Sequence, residues 1–393
     1  MSRSFDYDVI IAGGGPAGTS AAIHLATRGA RVLLAEQKKF PRAKLCGEFI
    51  SPECLDHFER LGVSDRMLAA GGARLTQTVF YSRDGRSVSV PSEWFSSQAG
   101  ALGLSRAEMD YKLLERAREA GVEVMQETQV CGLLIDGQRM RGVHLKSGDR
   151  FRDATATVTI DATGRTRSLS RRLNGDLARQ TRKRRPPLVA FKAHLENAQV
   201  APGACEIYFY PGGYGGLSSV ENGLSNLCFI AAAKDVRACD SDAERVMREV
   251  VTKNSRAELT LSRAQTRSEW LGVSLESFGR HELVPADGLL TIGDAAAFID
   301  PFTGSGMLMA LESGEAAAGV IIEHLANLKN GASFKGLARD YCSVYQRRFE
   351  SRLRVCAWLR RAAFVPRLAD AAILLFGASD RVRRKLARAT RKG

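Results

Sequence analysis

Residues 7–36 read YDVIIAGGGPAGTSAAIHLATRGARVLLAE, and this stretch decides the fold. YDVIIA is a short apolar run with β-branched residues, the pattern of a buried strand. It leads straight into GGGPAG, in which Gly13, Gly15 and Gly18 satisfy G-x-G-x-x-G. TSAAIHLATRG continues as a predicted helix ending at Gly29, and ARVLLAE (30–36) closes a βαβ unit with Glu36, 18 residues beyond Gly18. That spacing has a chemical reason. Gly13 makes the tight turn, Gly15 lets the backbone approach a pyrophosphate, and Gly18 allows close packing of helix on sheet. The helix N-terminus offers free N–H groups and positive potential to phosphates, while Glu36 accepts hydrogen bonds from a ribose. A dinucleotide site follows; the fingerprint alone leaves open FAD or a nicotinamide dinucleotide.

The 393 residues are ample for an elaborated α/β domain or two lobes with a large core. Lys and Arg number 57 against 43 Asp and Glu, a formal charge of +14 that invites anionic partners. The surplus gathers in RQTRKRR (179–185) and beyond Arg347, not interleaved with aromatics, so nucleic acid is not expected. Eight cysteines without a C-x-x-C pair suggest neither a zinc ribbon nor a disulfide framework, and the histidines show no metal spacing. The first strand begins almost at once, leaving no room for a secretory signal, and AAILLFGA (371–378) is far too short to span a membrane. A cytoplasmic protein, with the option of peripheral membrane contact, is expected.

Four separated stretches resemble flavoproteins of the para-hydroxybenzoate hydroxylase fold, in particular the branch of geranylgeranyl reductases and flavin-dependent halogenases. The likeness covers roughly residues 5 to 330. FPRAKLCGEFISPECL (40–55) looks like the reductases' CGE segment; LSRAEMDYKLLERARE (104–119) sets Arg106 before a helix. ATVTIDATGRTRS (156–168) matches the branch's DATG form, and GLLTIGDAA (288–296) supplies a second half-signal that makes FAD the expected cofactor. The resemblance implies cofactor contacts from Pro16, Ala17, Gln37, Arg42, Cys46, Gly47, Arg106 on the diphosphate, Val130 at the adenine, Gly164, Gly293 and Asp294 at the ribityl chain. After Pro301, the glycines Gly304 and Gly306, with Met307, open a helix whose dipole favours negative charge on the flavin ring. Bland alternatives stand beside these: Cys46 as inert filler, Arg106 as a surface residue at a helix start, Asp161 as a turn cap, and the glycines as packing residues.

The implied architecture is α/β, a Rossmann-like FAD-binding domain (1–185 and 280–330, with a β-insertion), a mixed or antiparallel substrate sheet (186–279) and a basic helical C-terminal region (331–393). YPGGYGGLSSVENG (210–223) resembles the reductases' substrate-lining P-x-x-Y-x-W-x-F-P motif, keeping Pro211 and Tyr214 but not its Trp. The same stretch reads equally as a Gly-rich hairpin. The implied activity is an FAD oxidoreductase acting on a hydrophobic isoprenoid, polyketide or aromatic molecule, with NAD(P)H as transient electron donor. Reduction and hydroxylation both stay open; the halogenases' W-x-W-x-I-P is absent. Ala297 stands where many hydroxylases of the fold have His, so no catalytic residue is assigned, nor an oligomeric state. The Arg-rich tail carrying Trp358, Phe364 and Leu374 reads either as a face for an anionic membrane or as a solvated helix packed on the FAD lobe.

Overall fold

The computed structural model describes residues 5–95, 100–137, 139–173, 187–275, 278–363, 373 and 379–389. The basic run 179–185 and the tail residues Phe364 and Leu374 lie outside them. Strand Tyr7–Ala12 is buried along its whole length because it pairs in parallel on both sides, with Val32–Ala35 and with Arg150–Asp161. Glu123–Met125 extends this parallel sheet at one edge, and Leu289–Thr291 joins Arg150–Asp161 at its C-terminal end. The earlier half of Arg150–Asp161 instead pairs antiparallel with Arg139–Ser147, which pairs with Thr128–Asp136. These strands are the β-insertion. Helix Pro16–Ala26 starts immediately after the glycines and stops three residues short of Gly29, which takes a left-handed φ of 83°.

The second sheet runs in the order Gln265–Thr266, Leu188–Glu196, Ser225–Ala232, Gly213–Ser219, Ala204–Tyr210, Gln77–Tyr81, Ser87–Pro91, with Leu271–Leu275 also on Leu188–Glu196. Its last two strands come from inside the 1–185 segment expected to belong to the dinucleotide lobe. Gln77–Tyr81 pairs in parallel with Ala204–Tyr210, from Gln77 opposite Ala204 to Tyr81 opposite Tyr208. The chain therefore enters the second sheet for Gln77–Pro91 and has left it again by strand Ala101–Gly103, and the substrate sheet is not confined to 186–279.

Helix Gly306–Lys329 crosses helix Pro16–Ala26 at close range, where Ser20 Oγ donates to Leu311 O at 2.9 Å. Gly314 makes the approach possible: a Cβ there would stand 2.4 Å from Ala17 O and 2.9 Å from Ala21 N. Replacing Gly314 by Val is expected to force the helices apart and cost about 3 kcal/mol. An unchanged denaturant midpoint would show that the crossing has slack.

Helix Lys335–Ala363 packs its apolar side on the FAD lobe, the second of the two readings of the basic C-terminal region. Leu337, Tyr341, Tyr345 and Phe349 recur every four residues, all buried in the main core, and Tyr341 Oη donates to Thr291 O at 2.7 Å. Arg352 is buried with them and pairs with Glu312. Helix Asp380–Ala389 packs elsewhere, against strand Ser87–Pro91 and Trp94 of the second sheet's side rather than on the FAD lobe. Among the described residues no helix is long and apolar enough to cross a membrane.

Candidate functional site

The two sheets face each other across one continuous cavity of about 900 Å³. Its first end is the glycine turn. Gly13, at φ 110°, lies so near the end of strand Arg150–Asp161 that a Cβ would be 2.4 Å from Ala162 O. The amides of Gly14 and Lys38 donate to the two carboxylate oxygens of Glu36, both at 2.9 Å, which fixes that side chain at the cavity wall. Around Gly15 the geometry is open: a Cβ would meet only the guanidinium nitrogens of Arg106 and Arg42, each 4.0 Å away.

Those two arginines are held by one carboxylate. Arg106 donates through Nε and Nη2 to both oxygens of Asp110 at 2.8 Å, and Arg42 Nη1 lies 3.1 Å from the same group. Arg106 starts helix Arg106–Glu119 behind the Ser105 cap, so its position one turn before Asp110 is built into the helix. Burial works against its charge, but Asp110 outweighs burial and raises its pKa. Two fixed cations facing bare backbone at a helix N-terminus suit a diphosphate. The donor set and the open cradle at Gly15 thus fit FAD; Gln37 and Val130 line the cavity beside them, and Arg106 is neither exposed nor merely a cap.

The middle of the cavity gathers Cys46, Gly47, Gly164, Gly293 and Asp294, with Lys44 and Arg165, two cations that sequence reasoning missed. Burial drives the Asp294 carboxyl upward against the opposing pull of Arg165, Lys44 and Arg106. Asp161 does not reach this site. Its carboxylate is fully buried and accepts from the amides and hydroxyls of Thr163 and Ser170, so it caps the turn.

At the far end, Pro301–Thr303 forms one 3-10 turn, Gly304 adopts φ 61°, and helix Gly306–Lys329 begins with nothing near the Cβ position of Gly306. Asp300 organises this loop: Oδ1 accepts from Phe302 N at 3.1 Å and from Tyr214 Oη, and Oδ2 lies 3.3 Å from Arg360 Nε. Burial pushes its carboxyl up and pushes the Tyr214 phenol well up. Beyond Tyr214 the walls turn apolar. Phe302 packs against Phe80, Phe209 and Tyr214 with ring centroids 5.5 to 5.7 Å apart, and Val88, Ile207, Ile230, Leu275 and Phe298 complete the compartment.

Nearly all expected contacts, including Pro16, Ala17, Pro301 and Met307, line the cavity; Gly18 and Pro211 do not. At Gly18 a Cβ would fall 1.9 Å from Gly13 O, so its work is packing and not contact. Pro211 sits at the hairpin turn between Ala204–Tyr210 and Gly213–Ser219, leaving in the wall Tyr214 and, at the motif's Trp position, Gly216. Among the described residues no cluster could hold a metal ion.

Glu48 was also missed. It is fully buried at a left-handed φ of 53° and accepts from Lys192 Nζ at 2.5 Å, His194 Nε2 at 2.7 Å and the Arg106 amide at 2.8 Å. Burial raises its carboxyl, but His194 and Lys192 prevail and hold it below the usual range. The signal lay in LVAFKAHL (188–195), where Lys192 and His194 share one face of an otherwise apolar strand and need a partner. Nearby, Asn226 Nδ2 donates to Cys46 O at 3.1 Å, a second tie from the substrate sheet to the Cys46–Gly47 loop.

A family model described as an FAD binding domain matches residues 6–331. The chain is 27% identical over 328 residues to the digeranylgeranylglycerophospholipid reductase of Methanosarcina mazei, covering 81% of this chain and 76% of that protein. It is 28% identical over 332 residues to the menaquinone reductase of Mycolicibacterium smegmatis, covering 79% and 75%. A solved structure of a flavin-dependent brominase matches with TM-score 0.80 at 21% identity over 98% of this chain and 93% of that one, a likeness of fold.

Proposed function

This chain belongs to the FAD binding domain family and is an FAD-dependent oxidoreductase, and on that premise we propose that it reduces a carbon–carbon double bond of an isoprenoid-like hydrophobic substrate, with NAD(P)H as electron donor. One observation carries this reading: the aromatic compartment of Phe80, Phe209 and Phe302 is continuous with the Gly304–Gly306 turn at the head of a helix. An apolar chain entering there is stripped of water by the aromatic walls. Bound FAD supplies the two-electron redox chemistry. Arg42 and Arg106 would balance the charge of its diphosphate, and the Gly306 amide with the helix dipole would stabilise negative charge at its ring, beside a turn that the Gly304 amide closes by donating to Pro301 O. Tyr214 and Phe302 N, through Asp300, hold that turn in place. The two relatives whose names describe reductases support reduction over oxygen chemistry.

The test is anaerobic. Holoenzyme reduced with NADPH or NADH is mixed with a polyunsaturated isoprenoid lipid, and the product is weighed by mass spectrometry. Gain of two hydrogens with reoxidation of the yellow chromophore is expected. A product formed only in air and carrying added oxygen would replace this reading by NAD(P)H-dependent hydroxylation.

A further inference from the structure

The cavity wall opposite in sequence to the glycine turn comes from the C-terminal part of the chain, through Leu359, Ile373, Arg383 and Ala387. The last two lie on helix Asp380–Ala389, which carries Arg381, Arg383, Arg384, Lys385 and Arg388 against the single carboxylate of Asp380. Trp94, only 7% exposed, fastens it: the Arg383 and Arg384 guanidiniums stand 5.4 and 5.5 Å from its ring centroid, and Arg388 Nε donates to Trp94 O at 3.0 Å. Asp380 pairs with Arg383. Among the described residues Arg381, Arg384 and Lys385 have no carboxylate partner, all three are exposed, and Val382 between them is 52% exposed. One helix thus has an inner side that lines the apolar compartment and an outer side that is cationic with an apolar residue in its midst. Trp358, 60% exposed, is the chain neighbour of Leu359, which lines the same compartment.

Five like charges on ten residues repel one another, and that repulsion is relieved by a dense anionic surface more than by a single counter-ion. Indole and aliphatic side chains amid arginines are the composition that settles at the headgroup boundary of a bilayer. We propose that helix Asp380–Ala389 is a docking surface for an anionic lipid bilayer, and that the docked helix is the partition between the bilayer and the substrate compartment. Charge complementarity selects the occupant, and continuity with the cavity gives the docking a use: a lipophilic substrate reaches the compartment without crossing water. The use rests on the function proposed above; the docking does not, so it is tested without turnover.

FAD-loaded full-length protein is sedimented with vesicles of pure phosphatidylcholine and with vesicles containing phosphatidylglycerol. The wild type is expected in the pellet only with the anionic vesicles, and to be released as salt rises, since exposed charges are screened. R381E/K385E, in exposed residues remote from the glycine turn and not among those on Trp94, is expected to stay yellow and to bind anionic vesicles on the order of tenfold more weakly or worse. Should that variant lose its flavin, single R381E and K385E variants and the wild-type salt series read the same quantity. Partition of wild type and charge-reversed protein that is equal, insensitive to salt, or absent with anionic vesicles at low salt overturns the proposal and points to a soluble acidic protein as the occupant.

Discussion

Replacing Gly15 by Val is expected to give a folded, colourless protein. Gly15 has φ −76° and ψ −179°, extended backbone that any residue adopts, and its Cβ position is empty out to the guanidiniums of Arg106 and Arg42 at 4.0 Å. A valine side chain therefore costs the protein without ligand little, within about 1 kcal/mol for a site with no clash. It does fill the space between the helix N-terminus and the two arginines, where the diphosphate must sit, and it holds the phosphate oxygens away from both donor sets. Losing those charge-assisted contacts should weaken FAD binding at least ~100-fold, about 3 kcal/mol at 1.4 kcal/mol per tenfold. Titration of the apoprotein with FAD reads the affinity, and far-ultraviolet circular dichroism with a denaturant midpoint reads the fold. A G15V protein that purifies yellow with FAD affinity within a few fold of wild type would sink the assignment of this turn as the diphosphate cradle. Gly18 would be an uninformative choice, because the 1.9 Å approach of its Cβ to Gly13 O damages packing whatever binds.

The contrast between Gly15 and Gly18 shows what was legible in the chain and why. The βαβ unit is local: strand, turn, helix and second strand follow within thirty residues, and each glycine's role depends on neighbours close in sequence. Arg106 came from the resemblance of LSRAEMDYKLLERARE, and its carboxylate partner Asp110, one helical turn on, was not read. The substrate compartment is not local. Phe80, Phe209, Phe298 and Phe302 meet only because Gln77–Tyr81 leaves the dinucleotide lobe and pairs in parallel with Ala204–Tyr210, a register no short-range pattern encodes. The Arg-rich tail left open a membrane face or a helix packed on the FAD lobe, and over 335–363 the second holds: the Leu337, Tyr341, Tyr345 and Phe349 stripe is a core face, and a stripe at that spacing outranks overall polarity as a signal of burial. Pro211 failed because a resemblance in motif carried it into the site, whereas a proline between two paired strands belongs to their turn.

The same long-range logic makes Glu48 the residue whose loss should cost most. It lies in the loop that carries Cys46 and Gly47, and the partners of its carboxylate come from elsewhere: Lys192 and His194 from the substrate sheet, the Arg106 amide from the diphosphate site. Lys192 is 2% exposed and Glu48 not at all. Glu48→Ala strands a buried ammonium, the buried Arg106 amide and the half-buried His194 imidazole, a loss of about 3–5 kcal/mol by the behaviour of broken buried pairs. Adding Lys192→Met to Glu48→Ala removes the stranded charge and should recover part of that, so the double variant is expected to be more stable than Glu48→Ala alone. Denaturant midpoints of the wild type, both singles and the double measure the coupling. The pH dependence has a fixed sign. Because the folded state holds the Glu48 carboxyl below its ordinary pKa, the stabilisation is complete above that ordinary value and is lost as pH falls through the lowered one. The stability gap between wild type and Glu48→Gln should therefore be largest near neutrality and close in acid. A gap that is flat from neutral to acidic pH, or a double variant no more stable than Glu48→Ala, would mean that the carboxylate charge is not what joins the two lobes at Cys46. Where the gap closes as expected, the tie between substrate sheet and diphosphate site is ionic, and a change of charge at Lys192 is felt at Arg106 through one shared oxygen, Glu48 Oε1.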